Sequence, residues 1–137
     1  MKNNQGPIRA LLTDDEPISL MLLEALMQSF SIEPISAIDV ASAKKALLET
    51  VPHFAILDVL LPDGDGTEIL VEIKKKGLPT AVAFITSSLM EFPFHKCESY
   101  QPDMLFTKPV DQTAVLAWIE KETPQVLQRM TRNRTAA

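Results

Sequence analysis

The chain has 137 residues, 46% hydrophobic and 23% charged, with a formal charge of −5. That is the length of one domain with enough apolar residues for a core, while the acidic balance and the lack of a basic stripe argue against a general nucleic-acid binder or a protein of anionic membrane surfaces. One cysteine, Cys97, permits no intrachain disulfide; no apolar run nears the roughly 18 residues of a membrane span, and the first thirty residues lack a secretory n-region and h-region, so the expectation is a cytoplasmic protein.

Residues 1–7 are polar and are expected to be a flexible start. Ile8 to Leu12 reads as a strand and runs into Thr13-Asp14-Asp15-Glu16-Pro17, whose proline suits the first turn of a helix. Ile18, Met21, Leu22, Ala25 and Leu26 recur at helical spacing and predict an amphipathic helix to about Phe30, with that stripe facing inward. Pro34 to Ile38 predicts a short strand, and Asp39 or Ser42 is the expected cap of a helix that turns Val40, Ala43, Ala46 and Leu47 inward. Pro52 separates that helix from Phe54 to Leu57, an apolar run of the kind buried on both faces of a sheet, so Asp58 falls where the strand gives out. Gly64 and Gly66 mark a tight loop. Thr67 is the expected N-cap of a helix carrying Ile69, Leu70 and Ile73 on one side and ending near Lys76, with Gly77 as its C′ residue.

Ala81 to Ile85 predicts a fourth strand, followed by Thr86-Ser87-Ser88. From Leu89 to Asp103 the chain holds Pro93, Pro102 and no 3.6-residue period, so no regular three-turn helix is expected there. Met104 to Thr107 predicts a fifth strand leading to Lys108-Pro109, and Asp111 caps a helix with Ala114, Val115, Trp118 and Ile119 on one face. Thr123-Pro124 is expected to break that helix or to start another turn through Val126, Leu127 and Met130, with a tail from Thr131 to Ala137. On this reading residues 8–123 form the domain and 124–137 an extension.

Such alternation implies an α/β protein, a doubly wound five-stranded parallel sheet with right-handed crossovers. In a parallel sheet the residues just past each strand share one edge, where ligands bind. Here they are Asp14 and Asp15, Asp58, Thr86 and Lys108. Packed carboxylates repel one another and call for a cation, and an all-oxygen set suits Mg²⁺. Lys108 as a point charge and Thr86 as a hydrogen-bond donor would complete a phosphoryl pocket, and a carboxylate in the central seat, Asp58, is a competent nucleophile for phosphoryl transfer.

These marks resemble the receiver domains of bacterial two-component response regulators: the pair Asp14-Asp15, Asp58 after an apolar strand with Pro62 and Gly66 at the usual offsets, Thr86, and Lys108-Pro109. The resemblance covers roughly Ile8 to Lys121 and implies a (βα)5 flavodoxin-like fold. It implies Asp58 as phosphoacceptor, Asp15, Asp58 and the backbone carbonyl of Leu60 as Mg²⁺ ligands, Asp14 acting through a metal-bound water, and Thr86 and Lys108 as phosphate contacts. The implied donor is a phosphohistidine on a sensor histidine kinase or a histidine phosphotransfer protein. The implied output is regulation of a further protein, without independent enzymatic turnover and without nucleic-acid or membrane binding; the chain is expected to act as a stand-alone receiver. Two departures stand out. Leu105 occupies the position three before the lysine where receivers place an aromatic switch, Phe106 being on the other face, and the segment Leu89 to Asp103 replaces the usual small-residue helix and Gly-Ala turn.

Other readings compete for the same loop. Asp63-Gly64-Asp65-Gly66-Thr67 fits the nucleophile motif of haloacid-dehalogenase-type phosphatases, but Pro62 rather than a strand end precedes Asp63. An EF-hand reading finds Leu61 at its first ligand position. A receiver that only binds partners is the remaining alternative. His53 and His95 have no clustered ligands and are expected at the surface or the core rim, and Lys74-Lys75-Lys76 is expected as a solvated helix end.

Overall fold

The computed structural model describes the backbone of residues 6–136 and the side chains of residues 6–132. In chain order the elements are β1 (Ile8–Thr13), α1 (Pro17–Ser29), β2 (Ile32–Ala37), α2 (Val40–Glu49), β3 (Phe54–Asp58), a hairpin of β4 (Leu60–Leu61) and β5 (Gly64–Asp65), α3 (Thr67–Lys75), β6 (Ala81–Thr86), a 3-10 turn (Phe94–Cys97), β7 (Met104–Thr107) and α4 (Gln112–Ala136). The main sheet has five strands, all parallel, in the order β2-β1-β3-β6-β7. The expected doubly wound sheet is thus observed, and the hairpin is an addition to it.

Alternation along the strands divides the core in two. Phe54 and Ile56 of β3 face one side with Leu12, Ala83, Trp118 and Val126, and Ala55 and Leu57 face the other with Leu11, Ile69 and Phe84. Every residue of β3 is buried, as an apolar run covered by helices on both faces requires. The edge strand β7 obeys the same alternation. Phe106 packs on Trp118, ring centroids 6.0 Å apart, while Leu105 joins the opposite cluster.

Helix α1 presents a different face to the core from the one its spacing suggested. Leu20, Leu23, Leu26 and Met27 are buried, whereas Ile18, Met21 and Leu22 are 57–68% exposed. Apolar residues lie on nearly every side of this helix, so periodicity alone cannot choose the inner stripe; the crossover from β1 to β2 does. Strand β2 starts earlier than expected, at Ile32, because it pairs with β1 from Ile8↔Ile32 to Thr13↔Ala37.

Helix α2 is capped by Asp39, whose carboxylate accepts from Ser42 N at 2.8 Å in a capping box. Thr67 does not cap α3. It is the first helical residue, and its N–H and hydroxyl both donate to the carboxylate of Asp65. At the other end Gly77, at φ +67°, closes a Schellman motif, with Gly77 N bonding Lys74 O and Leu78 N bonding Ile73 O.

Between β6 and β7 the regular structure is the single 3-10 turn, as the prolines foretold. Of the two outcomes expected at Thr123-Pro124 the helix takes the second, continuing through Val126, Leu127 and Met130, and the expected tail from Thr131 is helical to Ala136. Pro124 forfeits one ladder bond, but Val126 and Met130 are buried in the same core face as Trp118, and that burial carries the helix through.

Candidate functional site

Two neighbouring parallel strands deliver the acidic groups. Strand β3 lies between β1 and β6, so Asp58 emerges at the centre of the carboxyl edge, beside Asp14 and Asp15 from the end of β1. Carboxylate oxygens of Asp14, Asp15 and Asp58 lie within 4.8 Å of one another; Asp14 and Asp58 are buried and Asp15 is exposed. From β7, Lys108 brings its ammonium to 3.1 Å from Asp58 Oδ2, and the peptide Lys108–Pro109 is cis.

The backbone beneath the acid is fixed from two sides. Asp58 N donates to the hydroxyl of buried Thr13 at 3.0 Å. Gly66 N donates to Val59 O at 2.8 Å, and a Cβ on Gly66 would strike the carbonyl of Asp58 and come within 2.8 Å of the Phe84 ring. Only glycine permits the loop to approach this closely.

Burial pushes the Asp58 carboxyl above the ordinary carboxylate range; the Asp14 charge adds to that, and the Lys108 ammonium works against it. An acid held in this way is short of positive charge. An oxygen-only group of three carboxylates beside open solvent fits a hard divalent cation of the Mg²⁺ kind.

Thr86, also buried, turns its hydroxyl into its own loop, donating to Ser88 O at 3.1 Å and accepting from Ser88 N at 3.2 Å. It lines the same cavity as Asp15, Asp58, Leu60 and Lys108, a cleft of about 520 Å³. The structure therefore brings the site residues expected from sequence to one edge, although Thr86 does not touch Asp58.

Three participants escaped the sequence reading. Thr13 supports the backbone of Asp58, a role that becomes visible only once β1 is known to lie beside β3. Asp65 and Lys96 line the far wall of the cleft and form an ion pair of 3.0 Å; Lys96 lies on the 3-10 turn, in the segment with no periodicity. The acids of the phosphatase-like motif are occupied otherwise. Asp63 accepts from Val40 N at 2.7 Å and Ala41 N at 3.0 Å, tying the hairpin to the start of α2, and those bonds hold its carboxyl low. His53, far from this edge, is fully buried rather than at the surface or core rim, with its Nδ1 accepting from Arg9 N.

A five-stranded parallel α/β sheet of this order, with an acidic cleft and a lysine at its carboxyl edge, is a flavodoxin-like fold with its cleft at the strand ends, where such sheets bind their ligands. Within it the chain belongs to the response regulator receiver domain family, which it matches over residues 10–120. It is a receiver domain of a two-component system. Phosphorylation-dependent signalling and Mg²⁺ binding at an acidic pocket are general in that family, whose members are signalling domains rather than conventional enzymes.

The response regulator protein PilR of Pseudomonas aeruginosa is 32% identical over 104 residues, which are 75% of this chain and 23% of PilR. The transcriptional regulatory protein TrcR of Mycobacterium tuberculosis is 33% identical over 82 residues, 60% of this chain and 32% of TrcR. The chain thus spans about a quarter to a third of these relatives. Among solved structures, the response regulator TrrA of Thermotoga maritima in complex with Mg²⁺-BeF superposes with a TM-score of 0.74 at 24% identity, covering 83% of this chain and 97% of that one. The receiver domain of an HD domain-containing protein from Pseudomonas fluorescens gives 0.81 at 20% identity, covering 100% and 98%. No helix among the described residues is long and apolar enough to cross a membrane.

Proposed function

We propose that Asp58 is the phosphoacceptor of this receiver, taking its phosphoryl group from a phosphohistidine on a sensor histidine kinase or a histidine phosphotransfer protein. The observation that carries the reading is the buried Asp58 carboxylate, 3.1 Å from the Lys108 ammonium and grouped with Asp14 and Asp15. An Asp58 carboxylate oxygen attacks phosphorus, the P–N bond of the donor breaks, and the imidazole leaves with the bonding pair and takes up a proton. Lys108 neutralises charge on the phosphoryl oxygens. Thr86 would leave its loop contact with Ser88 to donate to them. Asp15, Asp58 and the carbonyl of Leu60 would hold Mg²⁺, with Asp14 acting through a bound water; the ion supplies charge neutralisation at the transferring group.

A protein donor is favoured by the surface next to the acid. An apolar cavity of about 260 Å³, lined by Leu22, Leu26, Ile85 and Val110, opens between α1 and the start of α4 and reaches Asp14 and Lys108. The exposed Ile18, Met21 and Leu22 continue it along α1. The output is a conformational change read by a further protein, with no independent substrate turnover, in the cytoplasm. The signalling unit starts at residue 8 and includes α4 beyond Thr123, since Val126 and Met130 are buried in the same core as Trp118. Transcription regulators among the relatives have most of their length outside the match, and no nucleic-acid contact is proposed for the acidic receiver itself.

Incubation with Mg²⁺ and acetyl phosphate tests the assignment. One hydroxylamine-labile phosphate should appear on the wild-type protein and none on Asp58→Asn. Sustained hydrolysis of phosphoesters would favour a phosphatase, and complete inertness a receiver that only binds partners.

A further inference from the structure

The cleft that holds Asp58 has two ammonium groups on its walls, and the reading above uses only Lys108. The other, Lys96, stands on the 3-10 turn and points its Nζ at Asp65 Oδ2, 3.0 Å away. Asp65 does not depend on that contact. Its Oδ1 accepts from the N–H and hydroxyl of Thr67, and its own N donates to Glu68. Lys96 in turn is half exposed on a flexible four-carbon stem. The pair is therefore exchangeable from the lysine side.

Asp65 immediately precedes Gly66, whose backbone rests on the Asp58 carbonyl, so the ion pair sits one residue from the phosphoacceptor loop. A phosphoryl group on Asp58 would bring nearly two negative charges and three acceptor oxygens into a cleft that already holds the carboxyl groups of Asp14 and Asp15. That anion is a stronger attractor for an ammonium than a single carboxylate already satisfied by Thr67.

Resting on the assignment of Asp58 as phosphoacceptor, we infer that Lys96 is a second phosphoryl-binding cation, which leaves Asp65 for the phosphoryl oxygens on Asp58 and so links the site to residues 89–103. The exchange removes the polar tether of the 3-10 turn to the start of α3. The far end of the segment stays tied, through Lys75–Glu98 at 3.4 Å and Lys74–Asp103 at 3.6 Å. The near end is left on the edge-to-face contacts of Phe84 with Phe92 and of Phe92 with Phe94, at 4.9 and 4.7 Å. This gives the segment a moving part where Leu105 offers no aromatic ring.

The test is a sign comparison using the whole chain, with beryllofluoride and Mg²⁺ titrated by calorimetry and the segment followed by hydrogen exchange. Lys96→Gln removes the second cation and should weaken beryllofluoride binding about two- to fivefold, and Lys96→Arg should retain it. Asp65→Asn keeps an acceptor oxygen for Thr67 but releases Lys96, and should tighten binding by a similar factor. In the wild type, residues 94–98 should lose protection on binding, and in Lys96→Gln they should show no change. A pair with only a structural role would move both variants in the same direction; that result, or no shift in either, overturns the inference while leaving Asp58 as acceptor. Equal beryllofluoride binding by Asp58→Asn and the wild type would overturn the assignment of Asp58, and the inference with it.

Discussion

At the amino edge of the sheet the polar groups of β1 and β3 close on one another, whereas at the carboxyl edge they are left facing a cleft. His53 Nδ1 accepts from Arg9 N and His53 N donates to Arg9 O, both at 3.0 Å; Arg9 Nη2 bonds Val51 O at 3.0 Å, and Thr80 Oγ1 bonds Pro52 O at 2.6 Å. Arg9 Nε is the exception, buried without a partner. The carboxyl edge instead gathers Asp14, Asp15 and Asp58 within 4.8 Å against one direct ammonium contact. The same strands therefore end once in a hydrogen-bonded seam around Arg9 and His53 and once in concentrated like charge. Stability is invested in the first, and the second holds a strain that a cation or a phosphoryl contact can relieve.

The largest expected effect sharpens this contrast through two glycines at opposite ends of α3. Gly66→Ala drives a methyl group into the Asp58 carbonyl and the Phe84 ring, neither of which can swing away, and should cost about 3 kcal/mol in urea denaturation. Gly77→Ala, near the amino edge, meets nothing within 4 Å and suffers only from its φ of +67°, so about 1 kcal/mol is expected. Equal losses would show that the loop over Asp58 gives way easily.

Acid should separate the edges next. Burial, with the Arg9 charge second, lowers the His53 pKa from 6.5 to about 4. Between those values the unfolded chain binds a proton that the folded chain refuses, so this contribution is whole above pH 6.5 and disappears as pH falls through 4. Between pH 7 and pH 4, where folded His53 is half titrated, the loss should be about 2–3 kcal/mol at roughly 1.4 kcal/mol per pKa unit. Asp58 has the opposite sign. Its folded pKa is raised, so the stability it contributes is present below the ordinary carboxylate range and is lost as pH rises through the raised value. Chemical denaturation at pH 7 and pH 4 checks the first claim: His53→Asn, which can still accept from Arg9 N, should lose less stability on acidification than the wild type by that 2–3 kcal/mol.

Much of both edges could be read from residues alone. Asp14, Asp15, Asp58, Thr86 and Lys108 were legible because each follows an apolar run, and a parallel sheet brings such positions to one edge whatever its strand order. The sequence misled where a residue's role depends on three dimensions. The spacing of Ile18, Met21, Leu22, Ala25 and Leu26 suggested one inward stripe for α1, and of these only Leu26 is buried. Thr67 looked like a cap because the Asp65 that takes its N–H lies in a hairpin too short to register as strands. At Pro124 the sequence left a break and a further turn both open, because the burial of Val126 and Met130 against Trp118 was not visible. Lys96 gave no signal: its meaning comes from Asp65, 31 residues away in sequence.

The smallest expected effect bears most directly on the charge at the carboxyl edge. Asp15→Asn keeps the shape of an exposed side chain and removes one negative charge from the group of three. If the cluster repels itself, the variant should be more stable than the wild type without divalent ions, by about 1 kcal/mol, the scale of one like-charge contact near water. Mg²⁺ should reverse the order. At a concentration one hundred times its dissociation constant the ion adds about 2.7 kcal/mol to a protein that binds it only when folded, and a variant lacking one ligand should gain far less. Thermal melts with EDTA and with Mg²⁺ would show the crossing: Asp15→Asn higher in the first, the wild type higher in the second. A variant that melts lower in EDTA would mean that Asp15 has a stabilising contact outweighing the repulsion. Equal gains from Mg²⁺ would remove Asp15 from the ligand set.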